Sequence, residues 1–133
     1  SGGGGTSLHI PERDGIYNNL LLCEYLAKRK MTLGQAVEEI YAEFGRVYYD
    51  RVDFRTTEKN KQAILAACAK GITNIGGFAV RSVETLDGYK FRIDGGWLLI
   101  RASGTEPILR FYSEADTERK VNALLKAAPR LGA

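Results

Sequence analysis

The sequence predicts an α+β fold in which helices pack on one face of an antiparallel sheet of four to five strands. Three observations predict it. Apolar residues recur at helical spacing through the first 45 positions, five short segments rich in Val, Ile, Phe, Tyr and Trp follow, and most connections between those segments are too short for a parallel crossover.

Residues 1–8 are rich in glycine and carry too few side chains to build structure, so they read as a loop, a severed loop or a linker. Asp14 caps a first helix in which Ile16, Leu20, Leu21, Leu22, Tyr25 and Leu26 surround most of the circumference, a pattern that predicts burial on more than one side in the complete protein and an orphaned helix here. Thr32 is the expected N-cap of a second helix. Gln35 completes a capping box, Leu33, Val37, Ile40 and Phe44 form one stripe, and Gly45 stops it. The polar stretch 28–31 and the restart of the pattern place a boundary between Lys28 and Arg46, dividing the chain into 1–45 and 46–133.

A strand is predicted over 47–54 and a helix over 57–70, where Ile64, Leu65 and Cys68 share a face. Strands follow over 78–85, 89–93, 97–102 and 108–113, with turns at Asp87 and Gly88 and over 94–96. A last helix over 116–128 turns Val121, Leu124 and Leu125 inward and meets Pro129 at its end.

Composition excludes several functions. One histidine and two cysteines without Cys-x-x-Cys spacing leave no zinc site; Cys23 and Cys68 read as small core residues, with a disulfide as the alternative. No run approaches the roughly 20 apolar residues of a membrane span, and the first residues lack the pattern of a signal peptide, so the expected setting is cytoplasmic, without a membrane partner. The formal charge of +3 is spread along the chain and suits small anions as well as nucleic acid. Trp97, Tyr48 and Tyr49 are expected in the core, and neither basic residues nor aromatics line up along one repeating face.

One loop carries chemistry. Between two apolar strands stand Arg101, Ala102, Ser103, Gly104, Thr105, Glu106 and Pro107, followed by Arg110. Gly104 permits backbone angles that turn neighbouring N–H groups toward one point, Ser103 and Thr105 add hydroxyl donors, and the Arg101 guanidinium matches phosphate oxygens. Glu106 would repel an anion if it pointed inward, so it is expected outside, paired with Arg110 or Arg101, while Pro107 stiffens the exit. A solvated structural turn uses the same residue types.

Arg101 to Pro107, followed by Ile108, Leu109, Arg110, Phe111 and Tyr112, closely resembles the C-terminal phosphate-binding loop of the α-D-phosphohexomutases. His9, Ile10, Pro11, Glu12, Arg13, Asp14 and Gly15 resemble the segment after the sugar-binding loop of the phosphoglucomutase and phosphomannomutase members, in the family's order. The resemblance implies the end of a third, α/β domain, whose left-over helices precede a fourth domain with a fold similar to the TATA-binding protein. It implies phosphate contacts from Arg101, Ser103, Gly104, Thr105 and Arg110, and further substrate contacts from Ser1 and Arg13. No catalytic or metal-binding residue is implied in this chain: the phosphoserine and the aspartate-rich Mg2+ loop belong to earlier domains. His9 lies too far along to replace the acid/base histidine that one branch carries where Gly3 stands here. The implied partner is a hexose phosphate, glucose or mannose 1- or 6-phosphate and the 1,6-bisphosphate, with no nucleic acid. The implied parent is a phosphohexomutase, and this chain alone is expected to be inactive. The competing classes are a basic nucleic-acid-binding module and a protein-interaction module.

Overall fold

The computed structural model describes residues 14–132. Ser1, His9 and Arg13 lie outside the described residues. The chain divides between Gly45 and Arg46 into two compact units.

The first unit holds α1 (Gly15–Arg29) and α2 (Leu33–Phe44). Both follow local rules closely. The Asp14 carboxylate accepts the Tyr17 amide at 2.9 Å, capping α1. At α2 the capping box forms in both directions, the Gln35 amide donating to the Thr32 hydroxyl and the Thr32 amide to Gln35 Oε1. A two-pronged ion pair joins Arg29 of α1 to Glu39 of α2 at 2.9 Å. Yet of the described residues in these two helices only Ala36 is buried, and Ile16 is 77% exposed.

In the second unit β1 (Tyr48–Arg55) leads through the Thr57 cap into α3 (Glu58–Lys70). Three short strands come next, β2 (Asn74–Ile75), β3 (Phe78–Ala79) and β4 (Ser82–Glu84). Then β5 (Tyr89–Ile93), β6 (Gly96–Ala102) and β7 (Ile108–Ala115) form consecutive antiparallel hairpins before α4 (Glu118–Ala127). A short 3-10 turn over Ala128–Arg130 accommodates Pro129. The main sheet has five strands in the order β1-β7-β6-β5-β4, all antiparallel.

The pleat sends alternate residues to opposite faces. Phe91 of β5, Leu98 and Ile100 of β6, and Leu109, Phe111 and Ser113 of β7 point inward and are completely covered or nearly so. They meet Ile64 and Cys68 of α3 and Val121, Leu124 and Leu125 of α4 in one core. The Ser113 hydroxyl is satisfied there by donating to the Trp97 carbonyl at 3.0 Å. Burial pushes the Cys68 thiol up to about 11.

Three expectations need correction. The strand expected over 78–85 is broken at Val80 and Arg81: Gly76 and Gly77, at φ 61° and 90°, turn β3 back onto β2, and only β4 joins the main sheet. Cys23 is exposed rather than core, because α1 buries none of its described residues; both cysteines are free. Tyr48 and Tyr49 are also exposed, at 38% and 57%, since β1 is an edge strand. Trp97 stands half-buried on the helix-free face.

Candidate functional site

The loop over 103–107 closes the β6–β7 hairpin, and three sets of bonds fix its shape. At its base the Ser103 amide donates to the Ile108 carbonyl at 3.0 Å. On one flank the Thr56 amide, between β1 and α3, donates to the Pro107 carbonyl at 3.1 Å. From beneath, Lys61 Nζ of α3 donates to the Ser103 carbonyl at 2.9 Å and the Glu106 carbonyl at 3.2 Å. The Glu106 carbonyl also takes the Ile108 amide at 2.7 Å, a tight return across Pro107.

Lys61 is the residue sequence reasoning missed. Its side chain is only 9% exposed. A signal was present: Lys61 lies three, four and seven residues before Ile64, Leu65 and Cys68, on the apolar stripe of α3. A lysine there needs partners, and the loop carbonyls supply them.

The loop therefore turns two carbonyls toward Lys61 of α3. The amides of Gly104, Thr105 and Glu106 make no hydrogen bond among the described residues. Gly104 and Thr105 are exposed and Ser103 is half-buried. Gly104 departs from expectation, for it does not adopt a positive φ, and an added Cβ would meet nothing within 4 Å. Its amide direction comes from the anchored Ser103 carbonyl, not from a glycine-only backbone angle.

Arg101 and Arg110 are direct partners across β6 and β7 and share the helix-free face. Like charges in that position repel unless something negative sits between or beside them. Arg101 has Asp87 at 3.4 Å, from the turn before β5. Arg110 faces Asp53 across β7 and β1, but Asp53 is engaged by Arg51 at 2.7 Å. The Arg51 guanidinium, first by hydrogen bonding, holds the Asp53 carboxyl below its ordinary range, with Arg110 a lesser contributor. Arg110 Nε is buried without an acceptor among the described residues. The pairing expected for Glu106 does not form, because these aspartates lie nearer to the arginines in the register; Glu106 is exposed.

The rest of that face corrects another expectation. Basic and aromatic residues do line up on it: Arg51, Lys90, Arg92, Trp97, Arg101, Arg110 and Tyr112 come together from four strands. Several are already engaged, Arg92 with Glu84, Trp97 Nε1 with Glu114 at 3.2 Å, and Lys90 Nζ over the Trp97 ring at 4.4 Å. Arg51 lies over the Tyr112 ring at 5.5 Å. Among the described residues no helix is long and apolar enough to cross a membrane, and no group of three or more His, Cys, Asp or Glu could hold a metal ion.

Comparison with known proteins matches most of the chain to one family. Residues 25–129 match the family model described as phosphoglucomutase/phosphomannomutase, C-terminal domain. The chain is 34% identical over 119 residues to a phosphoglucomutase/phosphomannomutase of Thermococcus kodakarensis, covering 90% of this chain and 24% of that protein. It is 31% identical over 115 residues to a phosphoglucomutase of Komagataeibacter xylinus, covering 78% of this chain and 20% of the relative. A crystal structure described as a putative phosphomannomutase from Thermus thermophilus superposes with a TM-score of 0.69 at 33% identity, over 96% of this chain and 24% of that one. The chain thus spans about a quarter of the length of the relatives it matches. An antiparallel sheet backed by two helices, an arginine-flanked loop between its central strands and a match over 25–129 lead to one conclusion: the chain belongs to the phosphoglucomutase/phosphomannomutase family, as its C-terminal domain.

Proposed function

We propose that this domain clamps the non-reacting phosphate of a hexose phosphate for a parent phosphohexomutase that interconverts the 1- and 6-phosphates. One observation carries the reading: Arg101 and Arg110 stand side by side at the mouth of a loop whose Gly104, Thr105 and Glu106 amides are unspent, with Arg110 Nε still lacking an acceptor among the described residues. A phosphate dianion would relieve the repulsion between the guanidiniums and take up donors already in place. Ser103 and Thr105 would add hydroxyls; Arg101 would exchange its contact with Asp87 for the ligand.

Such a clamp contributes to rate without touching the reacting atoms. Binding energy at the remote phosphate positions the far end of the sugar and helps exclude water. Mg2+ and the phosphoserine belong, on this reading, to other parts of the parent, which is a soluble cytoplasmic isomerase acting on glucose or mannose phosphates through a 1,6-bisphosphate; Ser1 and Arg13 are assigned to its sugar side. The chain alone binds a sugar phosphate but does not convert it.

An NMR titration with glucose 1-phosphate tests the clamp. The Ser103, Gly104 and Thr105 amides should shift with a dissociation constant on the order of millimolar, about 4 kcal/mol. Arg101→Ala should weaken binding by roughly 1.5–3 kcal/mol. Loop amides that stay still in the unaltered chain would refute the assignment.

A further inference from the structure

We infer that Lys61 is the positioning residue of the phosphate loop, an ammonium behind the loop that aims its amides and polarises them toward an anion in front. The inference rests on the clamp reading and adds to it a residue that touches no ligand.

The geometry follows from the peptide plane. The described residues contain no cis peptide bond, so the Ser103 carbonyl and the Gly104 N–H point in opposite directions across one rigid unit. Lys61 Nζ holds that carbonyl at 2.9 Å on the α3 side, which sends the Gly104 N–H to the other side. At the far end Lys61 holds the Glu106 carbonyl at 3.2 Å, where the next residue, Pro107, has no N–H to present. One ammonium thus anchors both ends of the segment whose amides are free.

Its charge acts along the same line. A cation on a carbonyl oxygen draws electron density through the peptide and makes the opposite N–H a stronger donor. Nearly buried, Lys61 is poorly screened. Its acidic neighbour Glu58, at 3.4 Å, is itself 59% exposed and holds the positive charge only loosely. Hydrogen bonding from Gln62, then the nearby Lys61, keep the Glu58 carboxyl below its ordinary range.

The test titrates inorganic phosphate into the full chain and its Lys61→Met and Lys61→Arg variants, following amide resonances. Lys61→Met keeps the apolar stem and removes the charge and both loop bonds. It should displace the Gly104 amide resonance before any ligand is added and weaken phosphate binding about tenfold, the equivalent of one charge-assisted hydrogen bond. Lys61→Arg should recover most of the affinity; a purely structural role would lower stability without this split. If Lys61→Met binds as tightly as the unaltered chain with Gly104 unmoved, the inference fails and the clamp stands. If the unaltered chain binds no phosphate at the loop, the clamp fails and takes the inference with it. Should Lys61→Met not fold, the Lys61 side-chain nitrogen resonance of the unaltered chain decides: it must shift on saturation with phosphate, and a signal that stays put overturns the coupling.

Discussion

The two units of this chain obey the same local rules and reach opposite results. Residues 14–45 form two well-capped helices, one with a complete capping box, and bury only Ala36. The second unit has simpler caps, single threonines at α3 and α4, and a contiguous core that includes Phe91, Leu98, Ile100, Leu109 and Phe111. Capping contributes about 1 kcal/mol per helix end. Burying one large apolar side chain contributes roughly 1.5–3 kcal/mol and does so many times over in the second unit. Correct local structure and a shared buried core are separate properties, and among the described residues only the second unit shows both.

The contrast can be broken most forcefully at its centre. Phe111→Ala removes a fully covered ring stacked 5.7 Å from Phe54 and should cost about 3–5 kcal/mol in a urea titration. A loss below about 1 kcal/mol would mean the second unit is not held by this core.

A smaller effect compares two glycines near the site. Gly88 sits at φ 111° with the Ile100 carbonyl where a Cβ would go, so Gly88→Ala should cost about 1–3 kcal/mol by thermal unfolding. Gly104→Ala has ordinary backbone angles and open space, and should leave the midpoint unchanged. Equal losses at the two would show that the loop is strained after all.

The smallest effect belongs to the first unit. Ile16→Ser, at a side chain 77% exposed, should change the stability of the chain by less than about 0.5 kcal/mol. A larger loss would show that α1 buries this residue in solution.

Much of the second unit was legible because its strands are short, apolar and separated by turn residues. The hairpins around Asp87 and Gly88 and over 94–96 were marked by residues that turns require. The break at Val80 and Arg81 was not legible because Phe78, Ala79, Val80 and Val83 read as one apolar run; β3 instead pairs back onto β2, the Val80 amide donating to the Thr73 carbonyl at 2.9 Å. At the site, Arg101, Ser103, Gly104, Thr105 and Arg110 were legible as one cluster in sequence. Lys61 was not, because it approaches from 42 residues away and its partners are backbone carbonyls, which every residue has. The crowded helix-free face was hidden for a related reason: it is assembled by register between strands, each of which contributes only a few of its residues.

The two edges of the sheet carry a consequence for handling the protein. An edge strand offers unpaired amides to any passing chain and so invites aggregation. At one edge β4 is three residues long and gives little to pair with. At the other, β1 is eight residues long, but half of them are charged: Asp50, Arg51, Asp53 and Arg55. With opposite signs alternating along it, an incoming strand would have to match a pattern of charges as well as a ladder of amides. One margin deters self-association by being brief and the other by being selective, which favours a protein that stays dispersed at the concentrations a titration of its phosphate loop demands.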